Sequence, residues 1–518
     1  MVQALGRSPG CAFTCIWQSV RTMGKSTSTY TEVERKFDIV ESTVTPSFDG
    51  LSAVSRVERS PSQQLDAVYF DTPGRDLAAH KVTLRRRTGG SDAGWHLKLP
   101  AGADARTEVR EPLGGTDEAE VPEALRDVVL AIVRDRPLAP VARISTSRTV
   151  DLLRAADGTA LAEFCDDQVS AQAGADGPQQ QWREWELELT EAGSRDLLER
   201  LSHRLLDAGA VPAGHGSKLA RVLESATDAQ EPGRPEPPDD PIHRAVARHV
   251  EELLEWDRAV RADVYDSVHQ MRVTTRKIRS LLQSSEDAFG ITDDAWILDE
   301  LRQLAAVLGV ARDAEVLAER YENALKELPE ELVRGPIWER LVDGAKRQYS
   351  SGLRRSLIAM RSQRYFRLLD ALEALVAAEP PPPLPGEEGR GPVTVESAYK
   401  KVRKAAKAAD QAEEDTEHDE ALHRIRKRAK RLRYTAAATG ADDVASAAKS
   451  VQSLLGDHQD SVVSRGHLSK VAQAAHAAGE DTFTYGLLYQ QEDDLARRSS
   501  DELGAALKQL RKSVRKTL

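Results

Sequence analysis

The strongest constraint on this fold is a charge alternation that recurs throughout the first part of the chain. In Glu32-Val33-Glu34-Arg35-Lys36, an extended backbone points residues two apart to the same side, so Glu32, Glu34 and Lys36 share one face and Val33 and Phe37 take the other. The period returns at Arg85 and Arg87, at His96 and Lys98 between Leu97 and Leu99, and at Arg106, Glu108 and Arg110. It returns again at Glu184, Glu186 and Glu188 between Trp185, Leu187 and Leu189. One such strand is ordinary, with its charged side in water. Many strands of mixed sign can instead close into a barrel with a polar lumen. Such a lumen is tolerable when its charges are met, its carboxylates by a hard cation such as Mg²⁺ or Mn²⁺ and its cations by an oligophosphate.

A chain of 518 residues is long enough for two or three domains. No apolar run approaches the length of a membrane span, so a soluble protein with no membrane partner is expected. Three cysteines, Cys11, Cys15 and Cys165, form neither a disulfide framework nor a zinc site, and a reducing cytoplasm is the expected home. Residues 1–28 hold a short apolar stretch with a weak basic front, a poor signal peptide. They are read as a disordered or mis-annotated extension, with Met23 as an alternative start. The net charge of -11 argues against a general nucleic-acid binder.

Residues 226–241 are rich in Pro and Asp and read as a linker. Before them lies a domain of short alternating runs, 29–225; after them lies helical periodicity, 242–515. A second break at 379–391, with Pro380 to Pro383, splits the helical part into halves of about 242–378 and 393–515. The halves repeat each other: His269, Arg272, Arg276 and Arg279 align with His423, Arg426, Lys430 and Arg433, and Leu308-Gly309 with Asp313 parallels Leu455-Gly456 with Asp460. On a helix each basic set occupies one side. Lys400, Arg403, Lys404 and Lys407 make a third stripe. No acid interrupts 269–279 or 423–433, and like charges at this spacing repel, so an anionic partner is expected.

Residues 28–225 resemble the CYTH domains of the triphosphate tunnel metalloenzymes. The resemblance rests on the Glu32/Glu34/Lys36 strand, Tyr69-Phe70-Asp71-Thr72, Leu84 to Arg87, Trp95 to Pro100, Arg106-Thr107-Glu108, Glu163 with Asp167, Glu184 to Leu189, and Ser217-Lys218. It implies an eight-stranded antiparallel tunnel that binds triphosphate with Mg²⁺ or Mn²⁺. Glu32, Glu34, Glu186 and Glu188 are then metal ligands, with Glu163, Asp167 and Glu184 as supporting carboxylates. Lys36, Arg85, Arg87, Lys98, Arg106, Arg148 and Lys218 contact phosphate, and Glu34 and Lys36 are catalytic. Arg143 and Arg148 have opposite parity, so only one faces the lumen without a bulge, and Arg148 is favoured.

Residues 240–515 resemble the CHAD domain, a duplicated helical domain, through the two His/Arg stripes and the Leu-Gly-x-x-x-Asp blocks. The resemblance implies two four-helix bundles facing a basic groove that binds inorganic polyphosphate, with Arg364 and Arg367 nearby. RNA is the weaker ligand, because few aromatics interleave the stripes, with Tyr434 at the end of one, and base stacking needs more. The whole chain thus reads as an α+β multidomain protein, a metal-dependent triphosphatase joined to a polyphosphate-binding domain and associated with polyphosphate granules. The alternatives are a non-enzymatic polyphosphate-binding protein, a thiamine triphosphatase, an adenylate cyclase or an RNA scaffold.

Overall fold

The computed structural model describes residues 28–102, 104–114, 120–225, 241–284, 289–291, 295–378, 394–411 and 415–517. The expected N-terminal extension and both linkers lie outside them, apart from residues 28 and 241 at their edges.

Eight strands close into an antiparallel ring: β1 (Ser28–Asp38), β6 (Ala105–Glu111), β5 (Gly94–Pro100), β4 (Thr83–Thr88), β3 (Gln63–Asp71), β7 (Ala139–Arg154), β8 (Ala160–Ala173) and β9 (Gln179–Leu189), which pairs back to β1. Two short strands add to this ring, β2 (Arg56–Arg59) on β7 and β10 (Val211–Pro212) on β1. The expected eight-stranded tunnel is therefore present.

Alternation sets what lies on each side of the wall. Outward residues Trp95, Leu97 and Leu99 pack with Leu125, Val128, Ile132 and Val133 of two short helices, α2 (Glu123–Val128) and α3 (Leu130–Val133). Phe37, Phe164, Trp185 and Leu187 pack under Leu197, Leu198, Leu201 and Leu205 of α4 (Arg195–Asp207). The inward face changes character along the barrel: Arg148 and Asp167 give way to Ile144, Val169 and Ala171. There Leu219, Val222 and Leu223 of α5 (Lys218–Ser225) fill the interior. Burying each of these three side chains is worth roughly 1.5–3 kcal/mol, so α5 is an apolar plug that carries one lysine inward.

The Tyr69-Phe70-Asp71-Thr72 motif closes β3. Phe70 packs on Trp95 with ring centroids 5.0 Å apart. The buried Asp71 carboxylate accepts from the backbone amides of Thr72 (2.7 Å), Leu77 (2.9 Å) and Ala78 (3.0 Å), which nucleates the single turn α1 (Asp76–Ala79).

The helical half comprises α6 (Pro241–Arg261), α7 (Ser267–Ser284), α8 (Trp296–Glu327), α9 (Gly344–Met360), α10 (Gln363–Ala377), α11 (Val395–Ala409), α12 (Asp415–Ala438), α13 (Asp442–Ala477) and α14 (Phe483–Thr517). The chain forms two compact units that divide within α8, within α9 and between residues 381 and 382. The first unit joins the barrel to α6, α7, the start of α8 through Ala306, and α10. The second holds the rest of α8, most of α9, and α11 to α14, around a core that includes Val402, Ile425, Ala429, Leu432, Val444, Val451 and Leu510.

Within the first unit, Glu373 of α10 meets the fully buried Arg134, Oε2 to Nη2 at 2.8 Å. Burial works to raise the Glu373 carboxyl, but His80 and Arg134 outweigh it and hold the group at about 2. A depressed carboxyl stabilises the fold above its ordinary range and loses that contribution as pH falls from about 4.5 towards 2. Glu373→Gln is expected to lower stability at neutral pH by about 3 kcal/mol and to flatten the acid loss. Chemical unfolding at pH 7 and pH 3 measures both.

Candidate functional site

Barrel register places the charged residues side by side. Across β1, β9 and β8 the partners are Glu34↔Glu188↔Glu163, with Lys36↔Glu186↔Cys165 and Asp38↔Glu184↔Asp167 as the next rows. Three carboxylates directly opposite one another repel. Burial first, then the nearby Glu32, Glu34 and Glu163, push the Glu188 carboxyl up to about 7, with Lys98 opposing. Burial and Glu108 likewise raise Glu32 against the pull of Lys98. This wall is short of positive charge. Its fixed cations are Lys36, 2.7 Å from Glu34 and 2.9 Å from Glu186, and Lys98, 2.5 Å from Glu32.

Another wall has the opposite imbalance. Tyr69↔Arg85↔His96 and Ala67↔Arg87↔Gly94 align across β3, β4 and β5. Arg85 touches the Tyr69 hydroxyl at 3.3 Å, and Arg87 bonds to Asp92 in the following turn. The Nε atoms of both arginines are buried without a hydrogen-bond acceptor. Burial, reinforced by Arg85 and Arg148, pulls the Arg87 guanidinium down to about 9. A guanidinium made less basic among guanidiniums marks a site for an anion.

Lys218 and Arg148 connect the walls. Lys218 Nζ lies 2.8 Å from Asp167, 2.6 Å from Glu184 and 2.8 Å from Glu186, and Arg148 is bidentate to Asp167 at 2.7 and 2.6 Å. Arg148 also reaches Glu186, while Arg143 is exposed on the outer face. Arg106 extends Nε to 3.4 Å from Glu34 and donates through Nη2 to the Gly216 carbonyl at 2.8 Å. These side chains enclose a cavity of about 510 Å³. A larger one, about 940 Å³, adjoins it and shares Glu34, Lys36, Thr83, Arg106, Gly216 and Ser217. The smaller cavity, the more heavily charged, is the lumen. The larger is lined by apolar residues such as Ala78, Pro100, Leu206 and Leu219 and by charged ones such as Arg35, Lys81, Asp104 and Glu224.

In the second unit, α12 buries Ile425, Ala429, Leu432 and Ala436, leaving its basic residues on the opposite arc. His423 is exposed, and Arg426, Lys430 and Arg433 are half-buried. Among the described residues none of these three cations forms an ion pair, and Lys430 and Arg433 lie over the Tyr434 ring at 5.8 and 4.6 Å. Gly456 explains part of the repeated block: a Cβ there would sit 3.2 Å from Arg426 Nη2, so glycine lets that guanidinium lie against α13. Asp460 and Asp313, the matching acids of the two blocks, fall within electrostatic reach of one another. On α11, Arg403, Lys404 and Lys407 are exposed and Lys400 pairs with Glu396 at 2.8 Å. In the first unit, Arg276 of α7 is exposed and His269, Arg272 and Arg279 are half-buried; His269, Arg272 and Arg276 have further contacts within the protein. Arg364 is bidentate to the buried Glu300 at 2.5 and 2.6 Å and so is already neutralised.

Comparison with known proteins matches residues 31–207 to the CYTH domain and 244–469 to the CHAD domain. The chain belongs to the CYTH and CHAD domain proteins. A relative, "Uncharacterized protein Rv2226" of Mycobacterium tuberculosis (strain ATCC 25618 / H37Rv), is 66% identical over 501 residues, covering 94% of this chain and 97% of that one. Among solved structures, the CHAD domain of the plant Ricinus communis is similar at 24% identity and a TM-score of 0.39, covering 53% of this chain and 93% of that one. The PH1819 protein of Pyrococcus horikoshii is similar at 17% identity and a TM-score of 0.24, covering 38% and 99%.

In the CYTH lumen the donors suit a hard divalent cation, all being carboxylate oxygens. The ligand atoms of Asp167, Glu184 and Glu186 lie within 4.8 Å of one another, but Lys218 already fills that triad. Glu188 and Glu163 form no ion pair among the described residues, and with Glu34 and Glu32 beside them they make a row that fits a metal better. Lumen residues left out of the sequence-derived set are Glu108, which bonds His96 at 3.0 Å and also Arg110, together with Tyr69 and Asp92. For Glu108 and Arg110 the signal was present, since both share the parity of Arg106.

Proposed function

We propose that the CYTH tunnel hydrolyses inorganic triphosphate or short polyphosphate with Mg²⁺ or Mn²⁺, and that the CHAD half binds inorganic polyphosphate. The observation that supports it most is the paired imbalance of the lumen: a row of facing carboxylates held apart from a group of buried guanidiniums with unmet donors. A metal on one wall and a triphosphate on the other complete both.

In this reading Glu32, Glu34 and Glu188, with Glu163 opposite, hold the metal, which would supply charge neutralisation to the reacting phosphoryl group, while Glu186, proposed from the sequence as a further ligand, serves Lys36 and Lys218. Arg85, Arg87 and Arg148 bind phosphate oxygens in a geometry fixed by their strands, and Lys36, Lys98, Arg106 and Lys218 line the path. Positioning and electrostatic stabilisation are the main needs of phosphoryl transfer. Burial and the facing carboxylates raise Glu188 to about 7, a repulsion that a cation held in this row would relieve.

The test is release of phosphate from inorganic triphosphate, with ATP and thiamine triphosphate alongside. Turnover is expected with Mg²⁺ or Mn²⁺ and is expected to vanish in excess chelator and return on adding metal. No turnover on any substrate by folded protein that binds polyphosphate would leave a purely binding protein. One feature favours a second reading: the large cavity beside the lumen, of mixed apolar and polar lining, has room for the organic group of a substituted triphosphate. Faster turnover of ATP or thiamine triphosphate than of inorganic triphosphate would select it.

On α12 Arg426, Lys430 and Arg433 form no ion pair among the described residues, in contrast to the lumen, where most cations are paired. That contrast supports an external polyanion on the helix. Binding to polyphosphate undiminished by competing RNA is the expected result. No helix of the described residues is long and apolar enough to cross a membrane; attachment to polyphosphate granules follows from the binding proposal.

A further inference from the structure

Helix α10 belongs to the helical half, yet its polar face is spent on the barrel half of the same compact unit. Glu373 Oε2 lies 2.8 Å from Arg134 Nη2, and Asp370 Oδ1 lies 3.3 Å from Arg134 Nε and 3.0 Å from Arg136 Nη2. Gln363 donates to Asp135 at 2.6 Å, and Arg361 and Arg261 reach Asp127 at 2.9 and 3.1 Å. Tyr365 donates to the fully buried Asp257 at 2.9 Å, which in turn holds Arg261 at 2.6 Å. An exposed charge pair contributes little, but Arg134 is 1% exposed, and removing its partner would leave a buried cation uncompensated.

Arg134 also has φ 56 and ψ -130, a conformation that suits glycine. Its guanidinium bonds back to the carbonyls of Ala131 and Ile132, so the strained backbone and the ion pairs support each other.

From this contact a short chain of atoms leads to the lumen. Glu373 Oε1 lies 3.6 Å from Nε2 of His80, and His80 Nδ1 lies 2.8 Å from the Asp76 carbonyl of α1. Arg136 bonds the Asp76 carboxylate from the same side. The turn is bracketed by Arg75 at φ 55 and Lys81 at φ 57, both in the left-handed region that non-glycine residues avoid unless held. Lys81 follows His80 directly, and its carbonyl accepts from Arg106 Nη1 at 3.4 Å. Arg106 Nε in turn lies 3.4 Å from Glu34. Ala78, Ala79 and Lys81 form one side of the cavity that adjoins the lumen.

We propose that Glu373 of α10 is a positioning residue for the tunnel: held by Arg134, it fixes His80 and the α1 turn, and so the Lys81 carbonyl, which together with the Gly216 carbonyl orients Arg106 beside Glu34. The helical half is then a structural part of the triphosphate site, beyond any role as a tether that raises local substrate concentration. The consequence for substrate rests on the proposed function, whereas the docking itself does not.

The test uses the full chain carrying Glu373→Gln and, separately, His80→Gln, which leaves Arg134 with its carboxylates. Hydrogen exchange followed by mass spectrometry is expected to show at least tenfold faster exchange at 76–83 in both variants, with β8 and β9 unchanged in His80→Gln. Calorimetric titration with inorganic triphosphate is expected to show three- to tenfold weaker binding. In turnover the same factor should fall on KM, with kcat within twofold, a split that general loosening of the fold would not produce. Unchanged exchange at 76–83 in folded His80→Gln protein, or unchanged triphosphate binding where exchange is faster, overturns the proposal. Absence of turnover in the parent chain overturns the triphosphatase reading instead, and the exchange and titration results still decide this one.

Discussion

Glu34→Gln is expected to abolish hydrolysis of inorganic triphosphate while leaving the tunnel folded. Glu34 sits at one end of the row of facing carboxylates, opposite Glu188, with Lys36 2.7 Å from one oxygen and Arg106 3.4 Å from the other. Burial acts to raise its carboxyl, but Lys36 and Lys98 prevail and hold it at about 2, so it is an anion throughout the working range of pH. Glutamine has nearly the same shape and lacks the charge. Loss of a metal-holding carboxylate removes several kcal/mol of transition-state stabilisation, a fall in kcat of roughly a thousandfold or more. The fold should survive because Lys36 keeps Glu186 at 2.9 Å and the repulsion from Glu188 and Glu163 is relieved. Phosphate release and a thermal melt on the same preparation test both halves. Retained turnover in a folded variant would remove Glu34 from the chemistry and the metal reading of this wall with it.

Replacing Arg426, Lys430 and Arg433 together by glutamine is expected to weaken polyphosphate binding by at least a hundredfold near physiological salt. These three project from one arc of α12 without ion pairs among the described residues. Arg426 has Asp460 within electrostatic reach and Lys430 and Arg433 lie over Tyr434, but none is held in an ion pair, so their charge is available to a polyanion. Each phosphate contact released also reduces the salt dependence, by roughly 0.7 in the slope of log K against log salt for a single-stranded polyanion, so a fall of about 2 is expected for three. The buried seam of Ile425, Ala429 and Leu432 is untouched, and the helix should persist. Titration of labelled polyphosphate at several salt concentrations reads both quantities. Unchanged affinity and slope would move the binding site off α12. A contrasting variant, Arg364→Gln, is expected to cost little affinity, since that guanidinium already serves Glu300.

The parity of the strands was legible from the residues alone. Glu32, Glu34 and Lys36, the Arg85/Arg87 pair and the Glu184, Glu186 and Glu188 set all point inward, because side-chain alternation is a local property of extended backbone. The same reasoning covered Glu108 and Arg110, whose shared face was visible but whose place in the lumen was not assigned. The apolar faces of α11 and α12 were legible for the equivalent reason, the helical period.

Lys218 shows where local reasoning stops. It begins a helix whose Leu219, Val222 and Leu223 plug the barrel, and only that plug delivers its ammonium to Asp167, Glu184 and Glu186. Arg364 shows the converse: its basic character was plain, but its neutralisation by Glu300, far away along the chain, was not. The docking of α10 on Arg134 left no periodic trace, because it joins single residues of a short loop to one helix face.

The sequence by itself determined which side chains share a face, where the strand and helix regions lie, and that a charged interior must be met by ions of both signs. Tertiary structure alone decided which charges face which. Register across β1, β9 and β8 set three carboxylates in a row, and packing of α5 and α10 placed a lysine and a glutamate beside partners distant along the chain. Local periodicity follows from backbone sterics within a few residues, whereas the pairing of distant charges depends on how the barrel closes and what packs against it.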